Sequence, residues 1–183
     1  MKLRVNAILK GSRANGPGKR AVLWVQGCLR NCPGCFNPGT HDPGAGQWMG
    51  TTEAAEILTS EENDGVTISG GEPFDQPEAL SELLRLLRRK DVSSILVFTG
   101  YSYETIQNLP CLKAIDALIC GPFRSELPPD YDRFCSSANQ QLILLTNRFM
   151  AEDFKNLPLA EWITDENGNL TRSGILRKEL SAD

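Results

Sequence analysis

Residues 20–35 read Arg20-Ala21-Val22-Leu23-Trp24-Val25-Gln26-Gly27-Cys28-Leu29-Arg30-Asn31-Cys32-Pro33-Gly34-Cys35. The apolar run reads as a strand, and it ends on a loop with the spacing C-x3-C-x2-C. Three thiolates on one tight loop can hold three corners of a four-iron cluster and leave the fourth iron open. A closed structural site normally takes four protein ligands, so three point to a place for a substrate or cofactor. The spacing also allows zinc held by Cys28, Cys32, Cys35 and a fourth ligand such as His41. Gly27 and Gly34 let the backbone wrap closely around a bound group, and Pro33 stiffens the loop.

Residues 66–69 form a second short apolar run, ending in Gly70-Gly71-Glu72-Pro73. Two glycines just past a strand let the backbone approach a ligand, and their amides and carbonyls suit an amino-acid headgroup. Taken alone, the same four residues read as an ordinary strand-to-helix turn.

Working outward, residues 3–9 read as a strand, 11–19 as a Gly/Pro-rich loop and 38–50 as another loop. Thr52 is placed to cap a helix over 53–59. Asp75-Gln76-Pro77-Glu78 has the form of an acidic capping box, and the helix after it carries Leu80, Leu83, Leu84 and Leu87 on one face. Residues 94–99, 114–120 and 141–146 read as strands, and 103–108 as a short helix. Asn167-Gly168 is a hairpin-turn signal between apolar runs, and 177–183 look charged and frayed. Alternating strands and helices predict an α/β fold with a mostly parallel sheet. Ligands collect at the carboxyl ends of such strands. That edge gathers the cysteine loop, Gly70-Gly71-Glu72-Pro73, Thr99-Gly100-Tyr101 and Cys120-Gly121-Pro122-Phe123.

The chain has 183 residues, 40% hydrophobic and 23% charged, with a net charge of −4. That suits one domain with its own core and argues against a chain built for nucleic acid. Arg85, Arg88, Arg89 and Lys90 read as a solvated helix face, Arg20 and Arg124 as solvated arginines, Trp24 as core and His41 as a surface residue. Residues 1–9 carry charges and no long apolar run, and no stretch approaches a membrane span. A reducing cytoplasm is the expected compartment, where clustered cysteines bind metal or do catalysis.

Cys28-x3-Cys32-x2-Cys35 followed by Gly70-Gly71-Glu72-Pro73 resembles the radical S-adenosylmethionine (SAM) superfamily. More narrowly, the chain resembles the small activating enzymes of glycyl-radical enzymes, such as those serving anaerobic ribonucleotide reductase. Asn15-Gly16-Pro17-Gly18 with Arg20, the Phe36-Asn37 end of the cluster loop, Thr99-Gly100-Tyr101, Gly121-Pro122-Phe123 and Ser136-Ser137-Ala138-Asn139-Gln140 carry the narrower likeness. The resemblance spans about residues 12–146. It implies a partial, open parallel β/α barrel in one domain, 1–183, with a hairpin extension from about 150. It also implies a [4Fe-4S] cluster on Cys28, Cys32 and Cys35, with SAM chelating the open iron. Gly70, Gly71, Glu72 and Pro73 are then expected to hold the methionine end, Thr99 the ribose, and Phe36 or Asn37 the adenosine or the incoming substrate.

In such enzymes one electron splits the sulfonium bond into methionine and a 5′-deoxyadenosyl radical, which takes a hydrogen atom from a glycine of a larger partner. A flavodoxin or ferredoxin is the expected electron donor. A radical SAM enzyme acting on a small molecule or ribosomal peptide, and a non-catalytic metal or electron-carrying module, are the competing readings. One departure stands out: relatives often carry Asp before Gly-Pro-Phe, where this chain has Cys120. Cys120, Cys111 and Cys135 are taken as buried or incidental thiols rather than as a hydrogen donor or a second cluster.

Overall fold

Strands β2 (Arg20–Val25) and β4 (Gly65–Gly70) lie side by side and parallel, with Arg20 opposite Gly65 and Val25 opposite Gly70. This pairing brings the end of the cysteine-bearing strand level with the Gly-Gly turn. It is the axis of the computed structural model, which describes residues 1–164, 168 and 170–175. The first strand, β1 (Lys2–Ser12), is longer than the sequence predicts and runs antiparallel to β2. Beyond it lies β3 (Gln47–Gly50), also antiparallel, inside a segment read from sequence as loop. On the other side come β5 (Ile95–Thr99) and β6 (Ala117–Cys120), both parallel, then β7 (Gln141–Leu144), antiparallel. The seven strands form one sheet in the order β3-β1-β2-β4-β5-β6-β7. The mainly parallel α/β sheet expected from the sequence is therefore present, as a four-stranded parallel centre with antiparallel margins.

Helices α1 (Thr51–Leu58) and α2 (Pro77–Arg89) cover one face, and α3 (Tyr103–Ile106) is a single turn after β5. Leu80, Leu83, Leu84 and Leu87 are all fully buried, as their spacing predicts. Removing each from water contributes about 2 kcal/mol. Along β5 the faces alternate. Ile95 and Val97 join the helix-side core, while Leu96 joins a second cluster with Ala117, Ile119, Phe134 and Phe154. Burial on both faces explains why this strand reads as an unbroken apolar run.

Both predicted helix caps differ from what is found. Gly50, not Thr52, caps α1. Gln76 precedes α2 and donates no cap, because its side-chain amide bonds the Arg4 backbone and the Gln26 carbonyl instead. Asp75 sits in a 3-10 turn with Pro73 and accepts a bond from the Tyr101 hydroxyl.

Arg20 is not solvated. Its side chain lies under the sheet, fully buried, and donates to Thr67 Oγ1, Ser94 Oγ and the carbonyls of Pro17, Val66 and Ser94. Burial pushes its pKa down to about 10, against the pull of Asp116 and Asp64, so it stays charged at neutral pH. Arg88 also leaves the solvated set: it pairs with the buried carboxylate of Asp116, which accepts from the Ile95 amide and Thr146 as well.

After β7 comes a 3-10 turn at Ala151–Phe154, then an antiparallel pair, β8 (Ala160–Thr164) and β9 (Leu170–Gly174). The pairing matches the predicted hairpin. Asn167 of its turn, and residues 177–183, lie outside the described residues.

Candidate functional site

The cysteine loop is folded back by its own flanks. Gln26 is buried at the end of β2 and donates to the carbonyls of Gly39 and Asp42, while its carbonyl side accepts from Asn6. The amides of Gly27 and Cys28 bond the carbonyls of Thr40 and His41. Gly27 takes a positive φ of 99°, open to glycine and strained for other residues. Across the loop, the Gly71 amide bonds the Val25 carbonyl and the Glu72 amide bonds the Gly27 carbonyl. A Cβ on Gly71 would strike that same Gly27 carbonyl, so the cysteine loop and the Gly-Gly turn touch backbone to backbone.

The result is a cavity of about 110 Å³ lined by Cys28, Cys32, Cys35, Gly70, Gly71, Glu72 and Thr99, together with Arg30, His41 and Gly100. Among the described residues, no three His, Cys, Asp or Glu side chains form a group able to hold a metal ion. Phe36 and Asn37 line a neighbouring chamber of about 260 Å³. Ser69 and Phe98 border both spaces. Pro73 lies behind the site, buried in the 3-10 turn. Trp24, expected in the core, is half-buried and forms a wall of the larger chamber. The later motifs interlock beside it. Gln140 accepts from the Ser136 and Ser137 amides and donates to the Gly121 carbonyl, which fixes Phe123 against Phe36 at 5.0 Å between ring centroids.

Burial raises the Cys28 thiol, with Glu72 and Asp75 adding to the effect, and burial likewise raises Cys35. Such thiols bind as thiolates only when a metal centre offsets the loss of the proton. The other cysteines stand apart. Cys120 and Cys135 are buried, with pKa values pushed up to about 11 and about 12, chiefly by burial. That matches the inert reading.

Glu72 is the hub of the site. Its carboxylate accepts from Thr99 Oγ1 at 2.7 Å, from the amides of Gly100 and Phe74 at 2.8 and 3.1 Å, and stands 3.4 Å from Arg30 Nε. Arg30 also lies over the Tyr101 ring, 4.0 Å from its centroid. Both oxygens are thus engaged within the protein, joining the ends of β4 and β5 to the cluster loop. Arg30 carried no signal in the sequence beyond its place between two cysteines.

Burial lifts the Glu72 carboxyl above its ordinary value of 4.5, against these hydrogen bonds. The folded protein therefore holds that proton more tightly than the unfolded chain. The stability this group contributes is full below pH 4.5 and falls as pH rises through the raised value. Thermal melts of the protein and of Glu72→Gln from about pH 4 to 7 should show the parent losing ground as pH rises; the reverse trend would contradict the shift.

A family model described as a 4Fe-4S single cluster domain matches residues 14–143. The chain belongs to the radical SAM activating enzymes. It is 38% identical over 120 residues to the anaerobic ribonucleoside-triphosphate reductase-activating protein of Enterobacteria phage T4, covering 62% of this chain and 77% of the relative. The protein of the same name in Salmonella typhi is 31% identical over 138 residues, 69% of this chain and 88% of the relative. The pyruvate formate-lyase-activating enzyme of Clostridium pasteurianum is 30% identical over 122 residues, 63% of this chain and half of that longer relative. This membership decides between zinc and iron: the family's cofactors are a [4Fe-4S] cluster and SAM. No helix among the described residues is long and apolar enough to cross a membrane.

Proposed function

We propose that this protein is a radical SAM activase that forms a glycyl radical on a larger partner enzyme. One observation carries the reading: three thiols from one loop face the Gly70-Gly71 strand end and Thr99 across a single cavity. The donor set fits the cluster in kind: the loop offers three sulfurs, Gly70 and Gly71 offer backbone, and of the other possible ligands lining the cavity, His41 and Glu72, the Glu72 carboxylate is already held by Thr99 and Gly100. In this reading Cys28, Cys32 and Cys35 hold the cluster. The strand end at Gly70 and Gly71 offers bare backbone to the amino-acid end of SAM, and Thr99 borders its ribose. Bound together, the two cofactors supply a 5′-deoxyadenosyl radical after one-electron reduction. Glu72 positions rather than reacts, because its carboxylate is already held by Thr99, Gly100 and Arg30. Phe36, Asn37, Trp24 and Phe98 enclose the adjoining chamber and keep water from the reacting carbon.

In this reading the sheet is a partial, open radical SAM barrel in a single domain. A flavodoxin or ferredoxin serves as donor in the cytoplasm, and nucleic acid has no part. The named relatives favour this reading over an electron carrier, which needs no amino-acid cradle. They also favour a protein substrate over a small molecule. Anaerobic reconstitution with iron and sulfide, then SAM and dithionite, should yield 5′-deoxyadenosine. Adding an anaerobic ribonucleoside-triphosphate reductase should give the doublet of a glycyl radical by electron paramagnetic resonance. A reconstituted protein that forms no 5′-deoxyadenosine would overturn the assignment.

A further inference from the structure

The β8–β9 hairpin lies wholly outside the family match at residues 14–143. It nevertheless builds one side of the chamber next to the cluster cavity, through Thr171, Arg172, Ser173, Gly174 and Ile175. The two faces of the hairpin do different work. On the inner face, the Glu161 carboxylate accepts from Ser12 Oγ and from the amides of Arg13 and Ala14, and Ser173 accepts from Asn15 at 2.6 Å. Behind them Ile175 packs on the second core cluster. These contacts fasten the hairpin to the loop that precedes β2.

On the other face, Trp162 stands opposite Arg172, which itself borders the chamber, and Leu170 stands opposite Thr164. Trp162 and Leu170 are 66% and 65% exposed. The chamber itself is uncharged apart from Arg172 among its described lining residues. Its walls are aromatic rings, Asn6 and Asn37 amides and hydroxyls, groups that suit peptide backbone better than a phosphorylated metabolite. Ser69 and Phe98 line both the chamber and the cysteine-lined cavity, so the two lie side by side.

We propose that the β8–β9 hairpin is the partner-recognition wall of this enzyme. An extended, glycine-bearing segment of the activated enzyme enters between the hairpin and the Phe36–Asn37 end of the cluster loop. Trp162 and Leu170 form the apolar rim on which the flanking residues seat, and Arg172 holds a carbonyl or carboxylate of the segment at the mouth. This rests on the proposed activase role and adds where its specificity resides. The hairpin lies outside the segment that the family model describes, so its side chains are where this chain's own choice of partner is written.

The test uses the full-length protein, without cofactors for binding and loaded for transfer. Trp162 is exposed, so Trp162→Ala and Trp162→Ala/Arg172→Ala should melt at the parent temperature. Titration calorimetry with anaerobic ribonucleoside-triphosphate reductase should show affinity lowered about tenfold in the double variant. In the loaded enzyme the glycyl-radical signal should fall in step and return at high reductase concentration, a change in KM and not in kcat. Parent-level affinity and radical yield in the double variant would overturn the inference and leave the activase role standing. A parent protein that makes 5′-deoxyadenosine yet places no radical on the reductase would overturn the partner assignment, and the inference with it.

Discussion

Cys28→Ala, Cys32→Ala and Cys35→Ala should each lose the iron-dependent absorbance of the reconstituted protein and its 5′-deoxyadenosine yield. The expected loss is on the order of a thousandfold or more, beyond the ten- to hundredfold typical of changes to groups that only support a metal's ligands. The reason is the donor count. The loop provides three sulfurs to the cavity, and no other cysteine is close enough in role to replace one: Cys120 and Cys135 are buried elsewhere with thiols pushed up to about 11 and about 12. The three thiols lie on a half-exposed loop outside the apolar core. Their removal should therefore leave the melting temperature of the cofactor-free protein nearly unchanged. Cys120→Ala and Cys135→Ala supply the contrast, retaining iron and 5′-deoxyadenosine formation. Iron content by chemical assay and product by chromatography decide it; full product from any of the three loop variants would remove that thiol from the site.

Arg20→Met should be the most destabilising single change in the framework under the site. The guanidinium satisfies three carbonyls and two hydroxyls at once, all buried except the half-buried Pro17 carbonyl. Each acceptor left without a donor costs about 1–3 kcal/mol, and some of them recover other partners. A net loss of about 4 kcal/mol is expected, which lowers the melting temperature of a domain this size by about 10 °C. Arg20→Lys should recover little, since one ammonium cannot span the acceptors that the planar fork reaches. Calorimetric melting of the cofactor-free protein measures this directly. A loss under about 1 kcal/mol would mean that the buried network contributes little.

Arg20 also shows where the sequence stops being legible. The short apolar runs at β2, β4, β5 and β6, set between helical stretches, announce a parallel sheet, and the leucines of α2 announce its covered face. The cysteine spacing and Gly70-Gly71-Glu72-Pro73 mark the edge that carries the site. A strand-leading arginine, however, reads the same whether it points to water or beneath the sheet. Its fate is set by Thr67 and Ser94, residues 47 and 74 positions away. β3 was hidden for a similar reason: Gln47-Trp48-Met49-Gly50 has no alternation of its own, and it is a strand because β1 offers an edge to it. The caps failed where a side chain found a better distant partner, as Gln76 did at Arg4 and Asp75 at Tyr101.

Within the candidate site, the sequence named the groups that line the cavity but not how they bond to one another. Glu72 was legible as a candidate through its motif, and it lines the cavity with the three cysteines. That its carboxylate is taken up by Thr99, Gly100 and Arg30 depends on the β4–β5 register and on the return of the cluster loop. The hairpin strands were legible from the turn signal between two apolar runs. Their anchorage through Glu161 to residues about 150 positions earlier was not.

The central claim is that this protein presents a cluster with one iron left open for SAM. Mössbauer spectra of the 57Fe-reconstituted protein, recorded with and without SAM, test it most directly. One iron of the four should change its isomer shift and quadrupole splitting when SAM is added, while the other three keep theirs. Four irons that all remain unchanged in a fully loaded sample would contradict the account.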